Sequence, residues 1–421
     1  MCNSMGNWPL LRKEMMEQRS GDMLKFDRGG SGTGVGNLLC VGPLDMNLKL
    51  RNSTWLQKAD ILFVDNPVGA GFSYVEDESL FVSSDEEAAT DLTTLLKELF
   101  NKDKRVQTSP LFIVGESYGG RFAVTIAVSV LKAIQSRELK LRLGGVALGD
   151  AWISPEDYVF SWGPLLKDLS RLDDNGLKES DSLAQLIKQQ IQKGLYKDAT
   201  DSWFKLKDVI GARSNSVDLY NFLLDNWSDP YPKKAMRLLE GISMKKYSSY
   251  LYSKDVSSGQ LSNLMNGVIR EKLKIIPKNV SWGGQADMVY SSLSNGFMKS
   301  RINEVDELLS NEVNVTIYNG QLDLICATRG TEAWVQKLKW NGLKNFTNLD
   351  RTPLYCNNDQ RVTKGFRKSY KNLNFYWILG ASHFVPVEQP CIALQMIGEI
   401  THSPVPTFRQ KKNLKGHNFK M

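Results

Sequence analysis

Short apolar runs alternate along the chain with longer segments of helical period. Residues 111–114 (Leu-Phe-Ile-Val) form a continuous apolar run after Pro110, which is typical of a strand buried on both faces. Residues 122–131 are long and apolar enough for a helix packed against that strand, and residues 144–149 predict the next strand. This order of strand, helix and strand predicts an α/β protein with a mostly parallel central sheet and right-handed crossovers.

The same patterning extends to both sides of this unit. Further strands are predicted at 59–65, 313–318 and 373–379, and further helices at 85–101 and 391–400. Ser84 is placed to cap the helix at 85–101 because its hydroxyl can accept from a free N–H of the first turn. Residues 156–300 are rich in Lys, Asp, Ser and Leu at helical spacing, with few strand-like runs, and predict a helical insertion that covers an active site.

The patterning divides the chain into five parts. The first part is polar and without clear period, and we expect a divergent, disordered lead-in. It is followed by the two halves of the α/β core, separated by a helical lid, and by a basic tail. In order, the parts are 1–28, 29–155, 156–300, 301–403 and 404–421.

Composition excludes several classes of protein. The 421 residues are 42% hydrophobic and 24% charged, as in ordinary globular proteins, and the net charge of +7 is small for this length. No apolar stretch is long enough to span a bilayer, and the basic run 409–415 lacks the interleaved aromatic residues of a nucleic-acid arm. The five cysteines include no C-x-x-C pair, so we expect neither a metal nor a dithiol redox site.

A pentapeptide at 115–119, Gly-Glu-Ser-Tyr-Gly, lies between the predicted strand and helix. It fits G-x-S-x-G, the sharp turn that raises a nucleophilic serine above an α/β-hydrolase sheet. In such a turn the serine has strained dihedrals, and a Cβ at Gly115 or Gly119 would collide with the neighbouring helix or strand. Ser117 is therefore the candidate nucleophile.

A serine hydroxyl needs a base, usually an imidazole that an acid orients. Of the three histidines, His402 and His417 lie in or beside the tail, whereas His383 comes directly after a predicted strand. Asp323 ends the strand that begins at Val313, and the order Ser117, Asp323, His383 is that of α/β-hydrolases. These three residues are the predicted catalytic triad.

Two further features stay open on the residues alone. The glycine-dense segment 29–36 contains G-x-G-x-x-G look-alikes, but no strand is predicted before it and no clear helix after it. It can instead aim bare N–H groups at an oxyanion. Cys326 and Cys391 each follow a triad residue closely, which makes them candidate neighbours.

Together these motifs resemble the serine carboxypeptidases, in particular their plant serine carboxypeptidase-like branch. The similarity runs from about Gly29 to about Thr401 and depends on five motifs. They are 65–74 (DNPVGAGFSY), 115–120 (GESYGG), 149–157 (GDAWISPED), 318–323 (YNGQLD) and 380–386 (GASHFVP). The resemblance implies an α/β-hydrolase fold and an acid-active enzyme without cofactor that removes C-terminal residues of peptides or proteins through a seryl acyl-enzyme.

The resemblance also implies roles for individual residues. The N–H groups of Tyr118 and Gly30 would form the oxyanion hole, and Glu116 would help to bind the substrate's terminal carboxylate. The family places an asparagine where this chain has Arg28, and its second carboxylate-binding glutamate falls at Leu39 or Cys40. Arg28 can itself pair with a carboxylate.

Family members are secreted or vacuolar, glycosylated and disulfide-bonded. Five N-x-[ST] sequons agree with this, at Asn52, Asn226, Asn279, Asn314 and Asn345. Residues 1–28 show neither the apolar core of a signal peptide nor the first sheet strands of the family, so we expect N-terminal strands to be missing and this chain to fold poorly.

Two alternatives to the peptidase remain, an acyltransferase with glucose-ester donors and a truncated, inactive paralogue. The sequence does not predict the oligomeric state.

Overall fold

An eight-stranded sheet forms the centre of the computed structural model, which describes residues 22–27, 31–225, 259–356 and 361–402. Its strands are β1 (Asp22–Asp27), β2 (Asp60–Phe63), β3 (Pro110–Glu116), β4 (Arg142–Gly149), β7 (Asn314–Gly320), β8 (Thr352–Tyr355), β9 (Thr363–Tyr370) and β10 (Leu373–Ile378). A separate hairpin is made of β5 (Val217–Asp218) and β6 (Asn221–Asp225). The predicted α/β class is confirmed.

The strands of the large sheet follow the order β2-β1-β3-β4-β7-β10-β9-β8. The six strands from β2 to β10 pair in parallel, and only β9 and β8 are antiparallel to their neighbours. Because parallel strands end at the same edge, the loops after β3, β4, β7 and β10 converge there. This convergence positions the candidate site.

Helices cover both faces of the sheet and form most of the described part of the insertion. The α-helices with both bounds in the described residues are α1 (Asp85–Phe100), α2 (Tyr118–Gln135), α3 (Pro155–Asp168), α4 (Asp174–Gln192), α5 (Tyr196–Ser214), α6 (Arg270–Leu273), α7 (Ala286–Leu293), α8 (Ile302–Ser310), α9 (Thr328–Val335), α10 (Leu343–Asn348), α11 (Val385–Glu388) and α12 (Pro390–Ile400). The predicted cap of α1 is confirmed, since the Ser84 hydroxyl accepts from Glu87 N–H at 3.2 Å.

Both faces of β3 are buried, as its uninterrupted apolar sequence predicts. Leu111 and Ile113 pack in a core with α1 and α2, whereas Phe112 and Val114 pack in a second core with α12. Strand side chains alternate between faces, so a strand with helices on both sides must be apolar throughout. This burial holds the end of β3, and the turn that follows it, in place.

We expected a disordered lead-in before residue 29, and the structure corrects this for residues 22–27, which form β1. That further N-terminal strands are missing remains a prediction. Residues 22–27 form a strand between β2 and β3, parallel to both. The segment holds only three apolar residues between two aspartates, so its periodicity gives little signal. The bounds of the five parts remain a prediction.

Two more expectations are corrected. Residues Gly32–Val41 are π-helical rather than an irregular loop, and the Ser31 hydroxyl caps this segment by accepting from Gly34 N–H at 2.8 Å. The Asp65 carboxylate holds it as well, because it accepts from the Ser31 hydroxyl at 2.7 Å and from Thr33 N–H at 3.0 Å. Cys391 pairs with Cys356 rather than lying with Cys326, and the disulfide joins the end of β8 to α12.

Of the helices that the structure describes, none combines the length and the apolar character that crossing a membrane requires.

Candidate active site

Ser117 lies between β3 and α2 in a strained backbone conformation, with φ of 59° and ψ of −129°. Positive φ is costly for a residue with a Cβ and persists where the surrounding structure enforces it. Here two backbone hydrogen bonds, to the end of β4 and to the segment that follows it, hold Ser117 in this conformation. Ser117 N–H donates to the Gly149 carbonyl at 3.0 Å, and the Ser117 carbonyl accepts from Trp152 N–H at 2.9 Å.

The glycines around Ser117 allow β3 and α2 to approach closely. A Cβ on Gly115 would lie 2.8 Å from the Ala123 Cβ and still closer to the backbone of Gly119. The predicted collision at Gly115 is therefore confirmed, and the one at Gly119 remains a prediction. Gly120 has the same constraint, because a Cβ there would strike the Ala151 side chain.

His383 and Asp323 form the expected acid–imidazole pair. Asp323 lies in the turn after β7, and His383 lies in the loop after β10. His383 Nδ1 and Asp323 Oδ2 are 2.7 Å apart, and both side chains are completely buried. With Nδ1–H donating to Asp323, Nε2 is left as the basic nitrogen, and it has no hydrogen-bond partner in the described part of the chain. A base with an available lone pair is what a nucleophilic serine requires.

The β5–β6 hairpin of the insertion holds both loops of this pair. The Tyr220 carbonyl accepts from His383 N–H at 3.1 Å, and its ring lies 5.1 Å from the imidazole. On the other side, the Leu219 carbonyl accepts from Ile325 N–H at 2.7 Å. No local pattern in the sequence indicates this role, because it arises from contacts between segments that are distant in the chain.

Asp150, the residue after β4, is a second buried carboxyl beside the pair. Its Oδ1 accepts from Gly320 N–H at 2.8 Å and from Asn319 Nδ2 at 3.1 Å. No donor among the described residues reaches Oδ2. Burial, followed by the Asp323 carboxylate, raises the pKa of Asp150 well above its ordinary value. A protonated Asp150 has an O–H to donate to Asp323, a role that was not predicted from the sequence.

Of the remaining predicted site residues, two lie within the described part of the chain and two lie outside it. Tyr118 is the first residue of α2, so its N–H has no acceptor within the helix and is suited to an oxyanion. Glu116 is completely buried at the end of β3. Gly30 and Arg28 lie outside the described residues, so the second oxyanion donor and the arginine contact remain predictions.

Among the described residues, one cluster of side chains is close enough together to be considered as a metal site. It consists of Asp323, Cys326 and His383, whose potential ligand atoms lie within 4.8 Å of one another. The His383 Nδ1 is already engaged by Asp323. Burial, then the Asp323 and Asp150 carboxylates, raises the pKa of the Cys326 thiol well above its ordinary value, and a protonated thiol is a poor ligand. We therefore attribute the cluster to the Asp323–His383 pair, the predicted acid and base, rather than to a metal.

A cavity of about 410 Å³ opens beside Ser117. Its walls are mainly aromatic and come from the start of α2, from the insertion and from the segment that follows β4. They include Tyr118, Phe122, Trp152, Trp203, Tyr220 and Phe297. The Tyr118 ring stacks on Phe297, with planes 7° apart, and its hydroxyl donates to Asp85 Oδ1 at 3.0 Å. An apolar cavity with few polar groups next to a nucleophile is typical of a substrate side-chain pocket.

Comparison with known proteins agrees with this geometry. A family model described as serine carboxypeptidase matches residues 29–403. The chain is 59% identical over 385 residues to serine carboxypeptidase-like 51 of Arabidopsis thaliana, covering 89% of this chain and 83% of that one. It is 46% identical over 373 residues to the mouse retinoid-inducible serine carboxypeptidase, covering 89% of this chain and 82% of the relative.

Among solved structures, the fold is similar to that of KEX1(Δ)p, a prohormone-processing carboxypeptidase from Saccharomyces cerevisiae. The TM-score is 0.75 at 21% sequence identity, over 91% of this chain and 83% of that chain. This likeness confirms the α/β-hydrolase fold. With the family match over most of its length, the chain belongs to the serine carboxypeptidase family and is a serine hydrolase.

Proposed function

We propose that this chain is a serine carboxypeptidase that hydrolyses the C-terminal peptide bond of peptides or proteins through an acyl-enzyme. The observation that carries the proposal is the buried 2.7 Å contact between His383 Nδ1 and Asp323 Oδ2, in loops that converge with the strained Ser117 turn. The high identity to proteins named as serine carboxypeptidases supports the same reaction.

In the acylation step, the Ser117 Oγ attacks the carbonyl carbon of the scissile bond while His383 Nε2 takes the hydroxyl proton. The negative charge on the substrate oxygen is stabilised by the Tyr118 N–H, and Gly30 N–H is the proposed second donor. His383 then gives the proton to the leaving amine, the C–N bond breaks, and the C-terminal amino acid departs.

In the deacylation step, a water molecule attacks the ester and His383 takes one of its protons. The tetrahedral intermediate collapses, the proton returns to Ser117 Oγ, and the shortened peptide leaves as a carboxylic acid. Asp323 keeps the imidazole in one orientation and stabilises its positive charge in both steps. The reaction requires no metal or organic cofactor in this proposal.

An exopeptidase must also bind the terminal carboxylate of its substrate. We assign this contact to Arg28, whose N–H fork matches a carboxylate, together with Glu116 next to the nucleophile. A blocked dipeptide with a C-terminal amide lacks that charge, and we expect it to be hydrolysed far more slowly than the free acid.

The direct test is release of the C-terminal amino acid from an N-blocked dipeptide at pH 5. Ser117→Ala should lower kcat/KM by at least about 10³-fold and abolish labelling by a fluorophosphonate probe. Ser182→Ala, at an exposed position of α4, is the matched control and should retain activity. Labelling of Ser117 without release of an amino acid would overturn the peptidase proposal, and acyl transfer from a glucose ester would then support the acyltransferase.

We also propose that the protein enters the secretory pathway and is glycosylated. In the described residues the sequon asparagines Asn52, Asn279, Asn314 and Asn345 are exposed, and the Cys356–Cys391 disulfide suits an oxidising compartment. Chain produced in eukaryotic cells should gain electrophoretic mobility after treatment with an N-glycosidase; unchanged mobility would contradict the proposal.

A further inference from the structure

The cavity beside Ser117 contains one charged side chain among its described lining residues, Lys207 of α5. Its ammonium group lies 4.7 Å from the centre of the Trp203 ring and 5.3 Å from that of Phe204. No carboxylate in the described part of the chain forms an ion pair with it, and the neighbouring Asp208 acts on it only through its charge. The cation therefore faces an aromatic cavity without a counter-ion.

An unpaired cation in such surroundings is poorly solvated. Burial lowers the pKa of Lys207, which means that the protein stabilises the charged form less than water does. The two aromatic faces compensate in part through cation–π attraction. A ligand carboxylate would supply the missing negative charge, and its interaction is strengthened by the apolar walls.

The position of the cavity relative to the triad indicates which part of a substrate enters it. Ser117 and Tyr118, the nucleophile and the proposed oxyanion donor, line the cavity, and so does Tyr220, whose ring lies 5.1 Å from the imidazole; His383 and Asp323 do not line it. The leaving amine must accept its proton from His383, so it departs next to the imidazole. Because the lining includes the nucleophile but not the imidazole itself, the cavity is assigned to the acyl side of the scissile bond, and the ester experiment below tests that assignment.

We propose that Lys207 is a specificity-determining residue that selects a glutamate side chain on the acyl side of the scissile bond. The inference rests on the proposed function, because it assigns an acyl side to Ser117. The methylenes of the glutamate pack on Trp152 and Phe297, and its carboxylate reaches Lys207. A glutamine fits the same space but lacks the charge, and a lysine or arginine is repelled.

The experiment compares p-nitrophenyl esters of N-blocked glutamate and glutamine at pH 6, where the glutamate side chain is ionised. These esters require only acyl-side recognition and attack by Ser117. The wild-type chain should prefer the glutamate ester by about tenfold in kcat/KM, as expected for one charge contact. Lys207→Met should remove this preference while the glutamine ester is still hydrolysed, and Lys207→Glu should favour the lysine ester.

Lys205→Met is the matched control, because Lys205 is an exposed lysine on the same helix that does not line the cavity. It should leave the glutamate preference unchanged. Equal glutamate and glutamine rates in the wild type, or a preference that survives both Lys207 variants, would overturn the Lys207 proposal. Failure of the carboxypeptidase proposal looks different: the esters are hydrolysed with the glutamate preference, but blocked dipeptides are not.

Discussion

At the scale of single residues, the site differs from a simple triad in the number of carboxyls around its base. Asp150 and Asp323 are both fully buried, and the carboxylate of Glu116 acts on Asp150 as a further negative charge. Carboxyls held together in an apolar interior cannot all ionise at once. Because Asp323 must carry the charge that orients His383, Asp150 is the member that retains its proton.

This assignment predicts different effects for two substitutions of Asp150. Asp150→Asn keeps an acceptor for Gly320 N–H and an N–H donor for Asp323, so kcat/KM at pH 5 should stay within about threefold of the wild type. Asp150→Ala removes both and should lose about tenfold or more. The measurement is kcat/KM on a blocked dipeptide between pH 4 and 9.

The pH profile separates a positioning role from a merely structural one. In the wild type, ionisation of Asp150 at high pH places a second negative charge beside Asp323 and removes its donor, so activity should fall there. The amide of Asp150→Asn does not titrate, and the alkaline fall of that variant should move to higher pH. An unchanged alkaline limb in Asp150→Asn would refute the shared-proton interpretation.

At the scale of elements, the proposed triad can be predicted from the sequence because each of its members follows an element with a strong local signal. Ser117 lies between an apolar strand and an apolar helix, and Asp323 and His383 follow β7 and β10. What the sequence does not reveal depends on partners distant in the chain. β1 gains its hydrogen bonds from β2 and β3, and Tyr220 contacts His383 across 163 positions of sequence (383 minus 220).

One buried ion cluster joins three elements near the site. Asp85 is the first residue of α1. Its carboxylate accepts from Arg121 of α2 at 2.9 Å and from Arg301, the residue before α8, at 2.7 Å. All three side chains are almost completely buried. The same carboxylate accepts from the Tyr118 hydroxyl, so the cluster also supports a wall of the cavity beside Ser117.

Removing the shared carboxylate should therefore be costly. Asp85→Ala leaves the buried guanidinium of Arg121 without its counter-ion, whereas Arg301 keeps its ion pairs with Glu86 and Glu304. We expect the free energy of unfolding to fall by about 3–5 kcal/mol. Denaturation in urea, followed by circular dichroism, measures this. Asp103→Ala breaks the exposed pair with Arg105 and should cost less than about 1 kcal/mol. Equal effects of the two substitutions would contradict the structural role of the cluster.

At the scale of the whole molecule, the insertion is part of the site rather than a cover above it. The β5–β6 hairpin bonds to the loops of both Asp323 and His383, and α5 and α7 supply part of the cavity walls. Helical periodicity predicts that such an insertion exists, but it does not predict which of its residues face the catalytic loops, because amphipathic faces look alike in sequence whatever they pack against. The position of Lys207 in the cavity lining is likewise not predicted, because the sequence around it is that of a solvated lysine.

Buried carboxyls also determine how the stability of the whole molecule depends on pH. Burial raises the pKa of Glu388 from 4.5 to about 7, against the opposing hydrogen bonds from Ser382, and the Asp323 and Asp218 carboxylates act in the same direction as burial. Between pH 4.5 and about 7, Glu388 therefore holds its proton in the folded chain but not in the unfolded chain. Asp150 likewise holds its proton in the folded chain at pH values above its ordinary pKa. Stability contributed by Glu388 is complete below about pH 4.5 and is lost as the pH rises through about 7.

We expect the melting temperature to be higher at pH 5 than at pH 8. A rise in the pKa of Glu388 from 4.5 to about 7 corresponds to about 3 kcal/mol. The amide of Glu388→Gln keeps an acceptor for Ser382 N–H and has an N–H to donate to the Ser382 hydroxyl oxygen, as the protonated carboxyl does, but it cannot ionise. Its melting temperature should therefore match the wild type at pH 5 and exceed it at pH 8. Glu76→Gln, at an exposed position, should follow the wild type throughout. If Glu388→Gln loses as much stability as the wild type between pH 5 and 8, then the buried carboxyl of Glu388 is not the group that favours the acidic range.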